Sequence, residues 1–156
     1  MLTLWQADQE RAWLTGFRAR TAFQPRYSEI DSYGHVSAVA YDAYFEQGRM
    51  EYLDGIGDPA QADALFPFAH VVVEQSIRYI ASCYFREDLA VLTKIVELGR
   101  SSATLEQAIV DRDERIRAIA RTVIVHNDGQ RGQPWTTAQR EAIARFEGFL
   151  TSAVGE

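Results

Sequence analysis

The chain has 156 residues, 47% of them hydrophobic and 24% charged, the balance of one soluble globular domain. Its 16 basic and 22 acidic residues are interleaved and leave a net charge of −6, which argues against a nucleic-acid-binding role. The lone cysteine, Cys83, excludes an intrachain disulfide and suits a reducing compartment, the first residues lack a signal-peptide pattern, and no apolar run is long enough to cross a bilayer, so a cytoplasmic protein with no membrane contact is expected.

Residues 4–17 carry a partial apolar face of Trp5, Trp13, Leu14 and Phe17 and predict a peripheral helix within 1–18. Alternation through 20–29 predicts a strand, and Pro25, which cannot donate to a ladder, puts that strand at an edge or at a bulge. From Ser37 to Asp54 the period becomes helical. Ala38, Tyr41, Phe45, Gly48, Tyr52 and Ile56 draw one apolar stripe, Ser37 is the candidate N-cap, and DGIGDP (54–59) is the stop. Gly48 on that stripe admits a close neighbour, and Glu46 reads as a buried acid among the aromatics.

Strand-like segments follow at 70–85, 89–98, 102–111 and 116–127, separated by the breakers REDL, GRSS and DRDER. Such short connections predict an antiparallel meander. Residues 136–150 return to helical spacing behind a threonine cap. A single domain over 1–156 is therefore expected, of α+β class, with one antiparallel sheet covering a long central helix and extra helices at both ends.

The densest chemistry lies in SEIDSYGHVSAVAYDAYFEQGR, residues 28–49. A helix beginning near Ala38 offers unpaired N–H groups and the positive end of its dipole, which suit an anion or an oxyanion. Gly34 lets the chain reverse before that helix, and Asp31 then projects beside its start. A carboxylate next to fixed N–H donors is the equipment for acyl chemistry, as base or nucleophile. DSYG is equally a good type I turn, so residue types alone leave Asp31 either a turn former or a catalytic group. His35 is likewise either a turn residue or a partner of Asp31. Cys83, in YIASCYF, reads as a buried inert thiol. No His/Cys/Asp spacing fits a metal site and no G-x-S-x-G elbow is present, so neither a metal nor a serine nucleophile is expected.

RYSEIDSYGHVSAVAYDAYFEQGRMEYL (26–53) resembles the signature of the 4-hydroxybenzoyl-CoA thioesterase family, small acyl-CoA hydrolases of the hotdog fold. Family members carry D-x-D at a strand end, two residues later G-[HI]-V, and then Y-x-x-[YF]-x-E-x-x-R on a helix. Asp31 matches the second Asp, Gly34, His35 and Val36 the glycine motif, and Tyr41, Tyr44, Glu46 and Arg49 the helix pattern. Glu29 replaces the first Asp, and Ser37-Ala38 replaces a frequent polar pair.

The resemblance implies a hotdog fold with a five- to six-stranded sheet, association into dimers or tetramers, and an active site at the subunit interface. It implies Asp31 as the catalytic carboxylate, with Ala38 N–H as oxyanion donor and His35 or Glu46 assisting. Glu46 sits at the offset used by a sister branch, and Asp31 is favoured because its local motif matches better. Tyr33, Gly34, Val36 and Tyr41 are the expected substrate-side residues. Arg100 and Ser101 of the GRSS turn are expected on the phosphates of coenzyme A, which enters as part of the substrate with no separate cofactor. From its place on the helix, Arg49 is expected to pair with Glu46 or another acid rather than with ligand. The implied reaction is hydrolysis of an acyl-CoA thioester. The alternatives are a hotdog enoyl-CoA hydratase or dehydratase, which also uses an Asp and a His, and a non-catalytic acyl-CoA-binding module.

Overall fold

The computed structural model describes residues 7–56 and 69–149. In chain order they form α1 (Ala7–Thr15), β1 (Ala19–Phe23), α2 (Ala38–Ile56), β2 (His70–Tyr79), β3 (Leu89–Leu98), β4 (Ser102–Val110), β5 (Ile116–His126) and α3 (Thr137–Glu147). The five strands make one sheet in the order β1-β3-β4-β5-β2, antiparallel throughout. A long helix lying on one antiparallel sheet is the expected α+β arrangement.

Three expectations need correction. The strand predicted over 20–29 stops at Phe23, because Pro25 cannot continue the ladder, and Tyr27–Glu29 instead form a single 3-10 turn. The strand predicted over 70–85 stops at Tyr79. Residues 80–88 then cross the end of the sheet, from Ile80 N–H on the Arg117 carbonyl (2.9 Å) to Arg86 N–H on the Pro25 carbonyl (3.3 Å). That crossing removes β2 from the meander: it pairs with β5 at the far edge, and only β3, β4 and β5 follow one another as neighbours. Trp5 and residues 57–59 of the helix stop lie outside the described residues.

The seat of α2 follows from its stripe. Tyr41, Phe45, Tyr52 and Ile56 are buried, whereas Ala38 is exposed at the helix start. At Gly48 a Cβ would stand 2.5 Å from Val91 Cγ1, so only glycine lets the helix sit this close to β3. At the same level Gln107 of β4 donates to the Phe45 carbonyl (2.9 Å) and to Thr93 Oγ1 (3.0 Å). One turn on, Tyr52 Oη accepts from Ile95 N–H (3.0 Å) and donates to Glu147 of α3, tying both helices to the bulge in β3.

The other helices close the two sides of the sheet. On the face away from α2, Trp13, Leu14 and Phe17 cover Ala90, Leu92, Ala108 and Val110. Trp13 Nε1 donates to Glu106 (2.6 Å), and Lys94 Nζ lies 4.5 Å from the Phe17 ring centre. Helix α3 starts as expected at a threonine cap, Thr136 Oγ1 accepting from Gln139 N–H, and ends at Gly148 with φ 77°. Its Ala142 and Ile143 join Tyr52, Leu53 and Ile56 in the core at the C-terminal end of α2.

A polar cluster holds the crossing segment. Arg117 pairs with Glu87 (2.8 Å) and with Asp111 (3.0 Å), and Asp111 also accepts the N–H groups of Asp113 and Arg115. Burial raises the Asp111 carboxyl, yet these donors reverse that and hold it below its ordinary value of 3.8.

Two outcomes follow from this packing. Gly48→Ala should destabilise by about 1–2 kcal/mol in chemical denaturation, because the overlap with Val91 outweighs the helix-propensity gain of alanine, and Val91→Ala in the same chain should recover most of the loss. A carboxyl with a depressed folded-state pKa contributes stability that is complete above its unfolded value and lost as pH falls through the folded one. Denaturation curves below about pH 4 should therefore lose stability less steeply in Asp111→Asn than in the parent chain.

Candidate active site

The site grows from the segment between the 3-10 turn and α2. Gly34, at φ 87°, reverses the chain, with Gly34 N–H on the Asp31 carbonyl (3.1 Å) and Asp31 N–H on the His35 carbonyl (2.9 Å). Ile30 and Val36 bridge antiparallel across the turn. Two further bonds fix the exit: Val36 N–H donates to the Cys83 carbonyl (2.8 Å) and Ser37 N–H to that of Glu29 (2.9 Å). Helix α2 begins directly afterwards, with Ala40 N–H on the Ser37 carbonyl (3.0 Å). Among the described residues, the N–H groups of Ala38 and Val39 take no acceptor, so the helix opens with free donors three and four residues beyond His35.

The Asp31 carboxylate is divided between two tasks. Oδ1 accepts Tyr33 N–H (2.9 Å), as the turn reading requires, while Oδ2 faces His35 Nδ1 at 3.6 Å. Both side chains are partly exposed, at 29% for Asp31 and 39% for His35. Tyr33, 84% exposed, stacks on the His35 ring with centroids 6.2 Å apart. Turn residue and accessible carboxylate are thus the same group.

The remaining candidates fall into three places. Val36 and Tyr41 lie in the core beneath the turn, where Tyr41 packs edge-on against Tyr79 at 5.0 Å. Burial pushes the hydroxyls of Tyr41 and Tyr44 well above the ordinary tyrosine range, and the neighbouring Glu29 carboxylate adds to this at Tyr44, whose hydroxyl has no hydrogen-bond partner. Cys83 is a buried free thiol whose pKa is likewise raised by burial. Glu46, read as buried, is 68% exposed because it points off the stripe, and it meets Arg49 Nη2 only at 3.9 Å. Arg49 itself is 3% exposed, with Nε and Nη1 lacking hydrogen-bond partners.

Glu46 and Arg49 line a cavity of about 660 Å³ between α2 and the start of β2, reached also by Leu53, His70, Val72 and Asn127. Arg100 and Ser101 are farther off. Their turn joins β3 to β4 at the C-terminal end of α2, where the Arg100 carbonyl accepts Trp135 N–H (3.0 Å). The 19 residues of α2, about 28 Å of helix, separate that end from Ala38. Within one chain the fold gathers Asp31, Tyr33 and His35 in the turn that precedes Ala38, and leaves Glu46 and Arg100 apart from them.

Two neighbours of the site were not anticipated. Tyr79, the last residue of β2, stands over the first turn of α2 with its hydroxyl 3.4 Å from the Ala38 carbonyl. The Cys83 carbonyl anchors Val36. The first belongs to a strand distant in sequence, and the second is a backbone group that any residue supplies. Among the described residues, no group of three or more His, Cys, Asp and Glu side chains is placed to hold a metal ion.

Known proteins share this architecture. Residues 25–150 match the model of the thioesterase-like superfamily. A thioesterase from Thermus thermophilus, solved with coenzyme A and zinc, is 27% identical and superposes with a TM-score of 0.74 over 85% of this chain and 96% of its own. A predicted thioesterase from Bacillus stearothermophilus is 25% identical, with a TM-score of 0.72 over 82% of this chain and 95% of its own. The uncharacterized protein YsmA of Bacillus subtilis (strain 168) is 25% identical over 133 residues, 84% of this chain and 88% of that one. With α2, α3 and the strands β2 to β5 inside the matched span and the turn–helix motif near its start, the chain belongs to the thioesterase-like superfamily.

Proposed function

We propose that the protein hydrolyses an acyl-CoA thioester to the free acid and coenzyme A, with Asp31 as the catalytic carboxylate. One observation carries this reading: a partly exposed carboxylate oxygen lies in the turn that leads, seven residues on, into the free N–H groups that open α2. In this reading the thioester carbonyl oxygen accepts from Ala38 N–H, where the helix terminus stabilises the charge that develops on attack. Asp31 Oδ2 takes the proton from an attacking water, or attacks the carbonyl carbon itself to give a mixed anhydride that water then opens. His35 orients that oxygen. In either route the thiolate of coenzyme A leaves and is protonated.

The reading includes a second copy of the chain. Strand β2 is an open edge with Val71, Val72 and Val73 exposed, an invitation to pair with another strand. Antiparallel pairing of two β2 strands about a two-fold axis sets the Tyr79 end of one against the His70 end of the other. A second copy's Glu46 and Arg100 are then the ones that approach Ala38, which accounts for their distance from Asp31 within a single chain. The coenzyme A complex of the Thermus thermophilus protein supports the choice of substrate.

The Asp31–His35 pair is also what a hydratase would use, so hydration of crotonyl-CoA is the control assay. Asp31→Asn preserves the oxygen that accepts Tyr33 N–H, so its melting temperature should stay at that of the parent while kcat/KM for the best acyl-CoA falls about 100-fold or more. Undiminished turnover would exclude Asp31. Ala38→Pro removes the oxyanion donor at a helix position that tolerates proline, and kcat should fall about 100- to 1,000-fold with helical content unchanged by circular dichroism.

A further inference from the structure

We propose that the rim formed by Arg26, Tyr27, Phe85 and Arg86 is the subsite for the nucleotide end of coenzyme A, an inference that rests on the thioesterase reading above. Two segments that frame Asp31 make this rim. The 3-10 turn leads into the Asp31 turn, and the crossing segment anchors its exit through the Cys83 carbonyl. Arg86 N–H on the Pro25 carbonyl (3.3 Å) joins the two segments. Tyr27 is four residues from Asp31, so their Cα atoms are at most about 14 Å apart. The rim is therefore within one short stretch of chain of Asp31, and the pantetheine arm, which separates thioester from nucleotide, would run from one to the other.

The exposed chemistry there matches a purine carrying phosphates. Tyr27 is 81% exposed and Phe85 44%, and their rings meet edge-to-face at 5.9 Å, leaving a face for stacking. The Arg86 guanidinium lies over the Phe85 ring at 5.0 Å. Among the described residues neither Arg26 nor Arg86 enters an ion pair, whereas the nearby acids are engaged: Glu87 with Arg117, and Asp88 with Arg112 (3.4 Å) and Gln24 (2.7 Å). Among the described residues the rim thus carries two guanidinium groups without a carboxylate partner, suited to phosphate oxygens.

The backbone at Arg86 adds a separate argument. Its φ is 60°, a conformation that glycine adopts freely and a long side chain resists. The turn therefore needs no side chain there, and an arginine held against its backbone preference at the mouth of the site points to a task for the guanidinium.

The same φ makes Arg86→Gly a variant with no folding penalty to confuse the result. Its preference for an acyl-CoA over the N-acetylcysteamine thioester of the same acid, which has no nucleotide, should fall about tenfold, mainly through KM for the acyl-CoA. Phe85→Ala should act in the same direction. Adenosine 3′,5′-bisphosphate should inhibit the parent competitively and the variant about tenfold more weakly. An unchanged preference in Arg86→Gly overturns the assignment, as does a loss found in Arg100→Ala in its place. A change of oligomeric state in Phe85→Ala would mark the patch as a contact between copies and overturn it too. Absence of hydrolysis of either thioester by the parent chain would instead strike the thioesterase reading, so the two failures are distinct.

Discussion

The contact between Gly48 and Val91 sets the depth at which α2 lies on the sheet, and the rest of the molecule is arranged around that depth. A side chain at this position would lift the helix off β3. Lifted, it would break the bond from Gln107 to the Phe45 carbonyl and draw the Tyr52 hydroxyl away from Ile95 N–H. Those bonds satisfy polar groups in the interior, where an unpaired one costs about 1–3 kcal/mol. Close approach at one glycine therefore fixes helix height, interior hydrogen bonding and the place where the helix starts.

That starting point matters because the site is built from main-chain bonds referred to it. The turn at Gly34, the bridge between Ile30 and Val36, and the bonds to the Cys83 and Glu29 carbonyls hold residues 30–37 against both α2 and the crossing segment. Asp31 gains from this in direction. One carboxylate oxygen is spent on the turn, so the other is held in one direction, and the proposed reaction would need little reordering of it. The structural and catalytic readings of Asp31 describe different oxygens of one group.

Local signals in the sequence were reliable where one segment determines its own conformation. The α2 stripe, the Gly34 reversal, the Thr136 cap and the inert Cys83 are all of this kind, and each lies where its residues predicted. The position of β2 is not local. Its alternation marks a strand, but which strand it joins depends on the route of residues 80–88, held by Arg117 from another element. Glu46 failed for a related reason: charge within an aromatic run looks buried, yet the helical period turns that position outward. Tyr79 and the Cys83 carbonyl carried no signal, since their role exists only once β2 and the crossing segment meet α2.

The proposed pairing of two chains also bears on features that a single chain leaves open. Helix α2 meets β2 through its first turns, at Tyr79 and Gln75. Farther along, a strip between α2 and the start of β2 is left open as the cavity lined by Glu46 and by Arg49, whose Nε and Nη1 have no hydrogen-bond partner. A buried guanidinium with two of its nitrogens unbonded is costly in an isolated chain, and burial lowers the Arg49 pKa against the pull of Glu46 and Asp42. The same strip borders the open edge of the sheet. Pairing at that edge would cover exposed valines, close the cavity over Arg49 and carry the outward carboxylate of Glu46 toward the neighbouring helix start. Under the proposed pairing, the exposed valines, the open cavity and the distance of Glu46 from Asp31 would share one remedy, a second chain at this edge.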